Sequence, residues 1–121
     1  MKVAIPSEKP EMGSKMSPIF GRCPHFMIVE IEAGKIVKSE AVANPGINQP
    51  GGAGMAAAQE LSKYGVNTLI AGTVGPKAAI ALDTIGMEIY TPIEGTVQEN
   101  VDAFMSGNLA KANPQGRLFK E

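Results

Sequence analysis

The sequence predicts an α/β protein built on one mixed sheet, and three observations predict it. Residues 25–32 and 35–43 are extended, alternating segments separated by Ala33-Gly34, which is a hairpin pattern. After residue 51, segments rich in helix formers alternate with short apolar runs, as in successive strand–helix units. Gly65, Gly86 and Gly107 recur every 21 residues, each placed to close a helix.

The elements follow in order. Residues 2–5 read as a short strand that Pro6 stops. Residues 6–18 contain Pro6, Pro10, Pro18 and Gly13 without periodicity, a loop of the length that is often functional. In the second strand Met27, Val29 and Ile31 face one way and Phe26, Ile28, Glu30 and Glu32 the other. In the third, Val37, Ser39, Ala41 and Ala43 alternate with Ile36, Lys38, Glu40 and Val42. A loop over 44–50 leads to Gly51-Gly52-Ala53-Gly54 and an alanine-rich helix that Gly65 ends. Residues 66–71 form a buried-type strand, and Gly72-Thr73-Val74-Gly75 turns the chain. Pro76 then stands at the first position of a second helix. Residues 87–90 form a fifth strand. Thr96 and Glu99 make a capping box for a third helix, whose apolar face is Val97, Val101, Phe104 and Met105. The domain thus spans residues 1–107, and residues 108–121, with Pro114 and Gly116, read as a loosely ordered C-terminal tail.

The order βββαβαβα gives a five-stranded mixed sheet, order 3-2-1-4-5, with three helices. Strands one, three, four and five point one way and strand two the other. Residues 6–25, 44–54, 72–76 and 91–96 therefore gather at one edge, where open α/β sheets bind ligands.

Composition narrows the function. A chain of 121 residues, 44% hydrophobic and 19% charged, has one continuous core and is not disordered. Eleven basic against twelve acidic side chains leave a net charge of −1, so no global basic field draws nucleic acid or anionic membranes. The longest apolar run, residues 78–82, is far short of a membrane span, and Pro6 arrives too early for a signal-peptide core. The expectation is a cytoplasmic protein. A single cysteine, Cys23, excludes an internal disulfide and any zinc site needing several cysteines from one chain.

Three segments carry candidate chemistry. In Cys23-Pro24-His25, side chains two apart on an extended chain face the same side, and a thiolate beside an imidazole suits copper, iron or a sulfide-bridged cluster. Met12 and Met16 offer thioethers on the preceding loop. The alternative is a cysteine packed as a small hydrophobe and a satisfied histidine. Gly51, Gly52, Ala53 and Gly54 precede a helix, where free N–H groups make an anion cradle; equally, such glycines let an alanine-rich helix approach a sheet. Neither a P-loop Lys-Ser/Thr nor Gly-x-Gly-x-x-Gly is present, so no nucleotide is expected. Thr73 and Gly75 belong to a second glycine turn before a helix, either a plain turn or part of a shared site. Strands one and four carry no Asp or Glu, so a two-metal nuclease site lacks its central ligands.

Taken together, Ser17-Pro18-Ile19-Phe20-Gly21-Arg22-Cys23-Pro24-His25-Phe26, Asn44-Pro45, Gly51-Gly52-Ala53-Gly54, Ala71-Gly72-Thr73-Val74-Gly75-Pro76 and Gly95-Thr96-Val97 resemble the dinitrogenase iron–molybdenum cofactor biosynthesis family over residues 1–107. The resemblance implies a ribonuclease-H-like fold and a non-catalytic role. Members carry or bind iron–sulfur–molybdenum cofactor precursors, and some similar proteins bind a molybdenum–copper sulfide cluster. Nitrogenase-associated members often place His directly before the Phe-Gly pair; here Ile19 stands there, so Cys23 and His25 would take that ligand's place. The expectation is a small carrier of an anionic metal–sulfur cluster, with Cys23 and His25 as metal ligands. Gly51, Gly52, Ala53, Gly54, Thr73 and Gly75 would face its sulfides, with Arg22 as a counter-charge or as an ordinary surface residue. Its partners would be cluster donor and acceptor proteins, with the chain a monomer or homodimer. The alternatives are a binding module for a small anionic or phosphate-bearing metabolite, and a docking domain for a larger metalloenzyme.

Overall fold

The structure, a computed structural model, describes residues 1–112. Strands β1 (Lys2–Ser7), β2 (His25–Glu32), β3 (Lys35–Ala43), β4 (Thr68–Ile70), β5 (Glu88–Tyr90) and β6 (Lys111–Ala112) form one sheet, ordered β3-β2-β1-β4-β5-β6. The helices are α1 (Ala53–Lys63), α2 (Pro76–Thr84) and α3 (Val97–Met105). β1 is antiparallel to β2 and parallel to β4, and β5 is parallel to β4. The first five strands therefore take the expected order and directions. Their carboxyl ends, β2 excepted, meet at one edge.

The apolar patterning explains the layers. Ala4, Phe26, Ile28, Leu69 and Ile89 pack on one face against Ala57, Ala58 and Leu61 of α1 and Ala78, Ala79 and Leu82 of α2. Val3, Ile5, Met27, Val29 and Ile70 pack on the other against Val97 and Val101 of α3, with Met12 and Met16 of the first loop alongside. Alanines on the inner side of α1 and α2 let both helices lie close to the sheet. Gly65, Gly86 and Gly107 all adopt φ of 76° just past a helix, the left-handed conformation that a closing glycine supplies. Thr96 and Glu99 form the expected capping box. Among the described residues, no helix is long and apolar enough to cross a membrane.

Two expectations need correction. β1 does not stop at Pro6: Pro6 and Ser7 remain in register with Phe26 and His25. Pro6 lacks an N–H, but its carbonyl still accepts from the Ser17 N–H at 3.0 Å, so the strand continues. The loop after it is tied down rather than free, through bridges from Met16 to Ser7 and from Lys15 to Thr96. The second correction concerns the tail. The sheet has six strands, not five, because Ala112 and Lys111 pair with Ile89 and Tyr90. Leu109 is only 9% exposed and packs on the α3 face. β6 covers the β5 edge, which a five-stranded sheet would leave open. The remainder of the expected loose tail, residues 113–121, lies outside the described residues.

The sixth strand makes truncation costly. Deleting residues 108–121 removes a buried leucine, about 1.5–3 kcal/mol, and the β5 partner. Thermal denaturation of the 1–107 chain should show a Tm lower by more than about 5 °C. A smaller shift would mean that the docked segment contributes nothing to stability.

Candidate functional site

The loops at the carboxyl edge are stitched through their backbones. Ile19 bridges Thr73 in parallel. The Phe20 N–H donates to the Thr73 carbonyl at 3.0 Å, and the Thr73 N–H donates to the Pro18 carbonyl at 3.2 Å. Phe20–Arg22 forms a turn of 3-10 helix packed on the start of α1, where a Cβ on Gly21 would come within 2.9 Å of the Gly54 nitrogen. A Cβ on Gly54 would collide with the Cβ of Ala78 in α2, and one on Gly46 with the Ala53 carbonyl. At Gly54 the close approach is to a helix and not to the sheet: its missing side chain lets α1 and α2 converge.

That convergence creates a cavity of about 410 Å³. Its walls are Ile19 and Arg22, the first turn of α1 from Gly52 to Met55, and the first turn of α2 from Gly75 to Ala78. Both helices begin without a side-chain cap, and neither has an acidic residue in its first turn. The leading N–H groups of a helix have no partner within it, and they carry its positive dipole end. Arg22 and Lys77 add two cations, and no Asp or Glu is among the described lining residues. Arg22 is held in place by its guanidinium, whose Nη1 donates to the Gln49 carbonyl at 2.7 Å. Two helix starts and two cations thus line one cavity.

Gly75 leaves the start of α2 uncovered by any side chain. Its φ of −68° is open to any residue, and a Cβ added there would meet nothing within 4 Å. Neither a positive φ nor close packing requires glycine here, although Gly is, with Ser, Thr, Asp and Asn, among the residues that an N-cap favours. A side chain there would close off the helix start that now faces the cavity. A second cavity, about 600 Å³, lies around Thr73, residues 15–18 and residues 92–96. It mixes Lys15 with Glu94, and the α3 start beside it is already closed by its own capping box. The first cavity is thus the better anion site, although it is the smaller.

The structure brings Arg22, Gly52, Ala53, Gly54 and Gly75 together, as the sequence suggests. Thr73 lines the second cavity, and Gly51 precedes the cradle without lining it. The expected metal pair does not assemble. Cys23 is fully buried, in the cluster with Phe20, Phe26 and Leu61 on the α1–α2 face. His25 begins β2, where alternation puts it on the opposite face with Met27 and Val29. Pro24 breaks the alternation between them. Among the described residues, no group of three His, Cys, Asp or Glu side chains is placed to hold a metal ion.

The surroundings of Cys23 explain its burial. Its thiol donates to the Phe20 carbonyl at 3.3 Å, within the 3-10 turn. The Asn44 amide Nδ2 donates to the Cys23 carbonyl at 2.8 Å, to the Gly21 carbonyl at 3.1 Å and to Cys23 Sγ at 3.7 Å. Burial pushes the thiol from its ordinary 9.0 up to about 12, and the Asn44 hydrogen bond offsets only part of this. With no metal present, a protonated, buried thiol packs as a small apolar group.

Reading residues alone overlooks Lys77, Met55 and Gly21. Lys77 had a legible signal, since a cation in the first turn of a helix opposes the dipole and asks for an anion. Met55 and Gly21 had none, because their place on the cavity depends on how the loops fold together.

The comparisons with known proteins agree with this architecture. Residues 1–107 match the family described as dinitrogenase iron-molybdenum cofactor. The chain belongs to this family. Among its relatives, the uncharacterized protein MJ0580 of Methanocaldococcus jannaschii is 36% identical over 111 residues, covering 92% of this chain and 91% of that protein. The apo form of the orange protein from Desulfovibrio gigas superimposes with a TM-score of 0.84 at 34% identity, covering 92% of each chain. A Thermotoga protein provisionally described as NifB gives a TM-score of 0.80 at 34% identity, covering 99% of this chain and 97% of that one. Membership associates the chain with the iron–molybdenum cofactor, and the family match ends where the structure places the close of α3.

The buried thiol generates a prediction. The folded protein keeps the Cys23 proton through the range in which an unfolded chain loses it. Below pH 9 both forms are protonated and the group contributes no pH dependence. As pH rises from about 9 towards 12, the unfolded form gives up its proton first and stability falls. The gap in denaturation midpoint between wild type and the less stable Cys23→Ala should narrow across this window, with the steeper loss in wild type. Iodoacetamide should label Cys23 only after unfolding. Labelling of the native protein at the unfolded rate would overturn the placement.

Proposed function

We propose that the protein is a non-catalytic carrier of an anionic metal–sulfur cluster, of the iron–sulfur–molybdenum or molybdenum–copper sulfide type, or of its precursor. The observation that carries the reading is the cavity in which two uncapped helix starts, Arg22 and Lys77 converge with no acidic lining residue among those described. Helix N-termini and cations suit a sulfide-rich anion, whose sulfurs accept N–H hydrogen bonds. Gly75 matters because it would let such a body approach the backbone. Family membership points to molybdenum chemistry, and a relative known as an orange protein with an apo form supports a coloured, removable group.

The donor set narrows the cargo. Iron–sulfur clusters are ordinarily fixed by cysteine thiolates, and Cys23 is buried away from the cavity. A cluster whose metals are already held by their own sulfides fits better than one needing protein thiolates. The cradle of this reading is Gly52, Ala53, Gly54 and Gly75 with Arg22 and Lys77, while Cys23 and His25 are left to packing. The protein would act between cluster donor and acceptor proteins in the cytoplasm. The order of β3-β2-β1-β4-β5, with β2 reversed, supports reading the fold as ribonuclease-H-like; the acid-free β1 fits a non-catalytic role.

Protein purified without oxygen should contain molybdenum with iron or copper, and absorb visible light. Tetrathiomolybdate, a simple metal–sulfur anion, should bind wild-type apoprotein. Arg22→Ala and Lys77→Ala should each weaken it about three- to tenfold, since charged hydrogen bonds at a partly exposed site keep part of their strength. Binding should also weaken as salt is raised. Gly75→Val should block binding while lowering the melting temperature by only a few degrees, the scale of a poorer N-cap. Tight binding of inorganic phosphate with no uptake of tetrathiomolybdate would sink the cluster reading and favour a phosphate-bearing metabolite.

A further inference from the structure

The larger cavity, of about 600 Å³, lies where the chain changes sides of the sheet. It leaves β4 for α2 on one face and leaves β5 for α3 on the other. The loops after the two strands, residues 72–73 and 92–96, part there, as at the crevice where open α/β sheets bind ligands. Residues 15–18 form the third wall, pinned by the bridges of Lys15 to Thr96 and of Ile19 to Thr73. The volume is that of a small-molecule site.

A buried hydroxyl singles this cavity out. Ser7, Ser14, Asn44, Thr68 and Asn100 are buried, and each hydrogen-bonds through its side chain within the protein. Ser17 is only 5% exposed, yet among the described residues its hydroxyl has no partner. No described polar side-chain atom that is sealed from solvent lacks a partner, so this hydroxyl is not sealed. Ser17 lines the cavity, and its hydroxyl is placed to answer a group bound there. The rim adds charges of both signs. Lys15 and Glu94 line the cavity, and neither belongs to an ion pair among the described residues. Met16, Pro18, Pro92 and Ile93 supply apolar wall.

We infer that this second cavity binds a small zwitterion with an apolar body, an α-amino acid in kind. Lys15 takes the carboxylate and Glu94 the ammonium. Their bridges show that Lys15 and Met16 are extended, which puts Lys15 and Ser17 on one side of the stretch. The Ser17 hydroxyl therefore donates to the same carboxylate. A lone anion would meet Glu94 and a lone cation would meet Lys15, so the lining favours a molecule that carries both charges. The start of α3 competes for neither, since its own capping box closes it. This site is separate from the cradle between α1 and α2, and it needs no metal.

Leucine titrated into the full-length protein, followed by amide chemical shifts, tests the site. Saturable shifts should appear at Ser17, Thr73 and Thr96. Leucinamide lacks the carboxylate and N-acetylleucine lacks the ammonium, so each should bind about three- to tenfold more weakly. Glu94→Gln should erase the difference between leucine and N-acetylleucine, and Lys15→Met that between leucine and leucinamide. Ser17→Ala should weaken leucine by a similar factor and leave the melting temperature unchanged, because the hydroxyl has no partner in the protein to lose. Arg22→Ala, in the other cavity, should bind leucine as wild type does, which keeps this result independent of the carrier reading. The proposal is overturned if leucine, methionine and phenylalanine all fail to bind saturably up to about 10 mM. Equal affinity for leucine, leucinamide and N-acetylleucine overturns it as well, and so does unchanged leucine binding by Ser17→Ala.

Discussion

The site depends on how closely three pieces of backbone approach one another. The 3-10 turn at Phe20–Arg22 sits on the start of α1 through Gly21 and Gly54, and α1 sits on α2 through Gly54 and Ala78. Gly46 admits the Ala53 carbonyl on the other side. Each contact lacks a Cβ that a larger residue would force between the layers. Separate them by a methyl group and the two helix starts no longer address the same volume. Asn44 locks the arrangement, since its amide spans the Gly21 and Cys23 carbonyls while its Oδ1 accepts from the Gly46 N–H at 2.9 Å. Packing in this corner comes before electrostatics, because only packed helices can pool their dipoles.

The sheet was legible because its signals are local. Period-two alternation marked β2 and β3 to their end residues, and helix-closing glycines marked the ends of α1, α2 and α3. β6 was not legible, because two residues are too few for any period and its partner β5 is distant in sequence. The extension of β1 through Pro6 was missed for a related reason. The rule that proline ends a strand assumes its N–H was needed, and here its carbonyl suffices.

The candidate site was legible by half. Glycine runs before helices pointed to the corner where the cavity lies, since chain direction and strand order decide where those runs arrive. Cys23 misled because residues two apart share a face only while the chain stays extended, and Pro24 ends that regularity. Two glycines of similar appearance in sequence also proved different in kind: Gly54 is required by Ala78, whereas Gly75 touches nothing. Only the folded chain separates a glycine that packing requires from one that packing does not.

The burial of Cys23 has a chemical consequence for whatever the cavity holds. Accessible thiolates exchange with sulfide, reduce metals and form mixed disulfides. Here the chain's single sulfhydryl is sealed beneath the turn that forms one wall, and it stays protonated near neutral pH. A sulfur-rich guest therefore meets amide hydrogens, two cations and a thioether, none of which trades sulfur atoms with it. On the carrier reading, the protein would behave towards such a guest as glassware does towards a reagent, and the guest would leave with the composition it had on arrival.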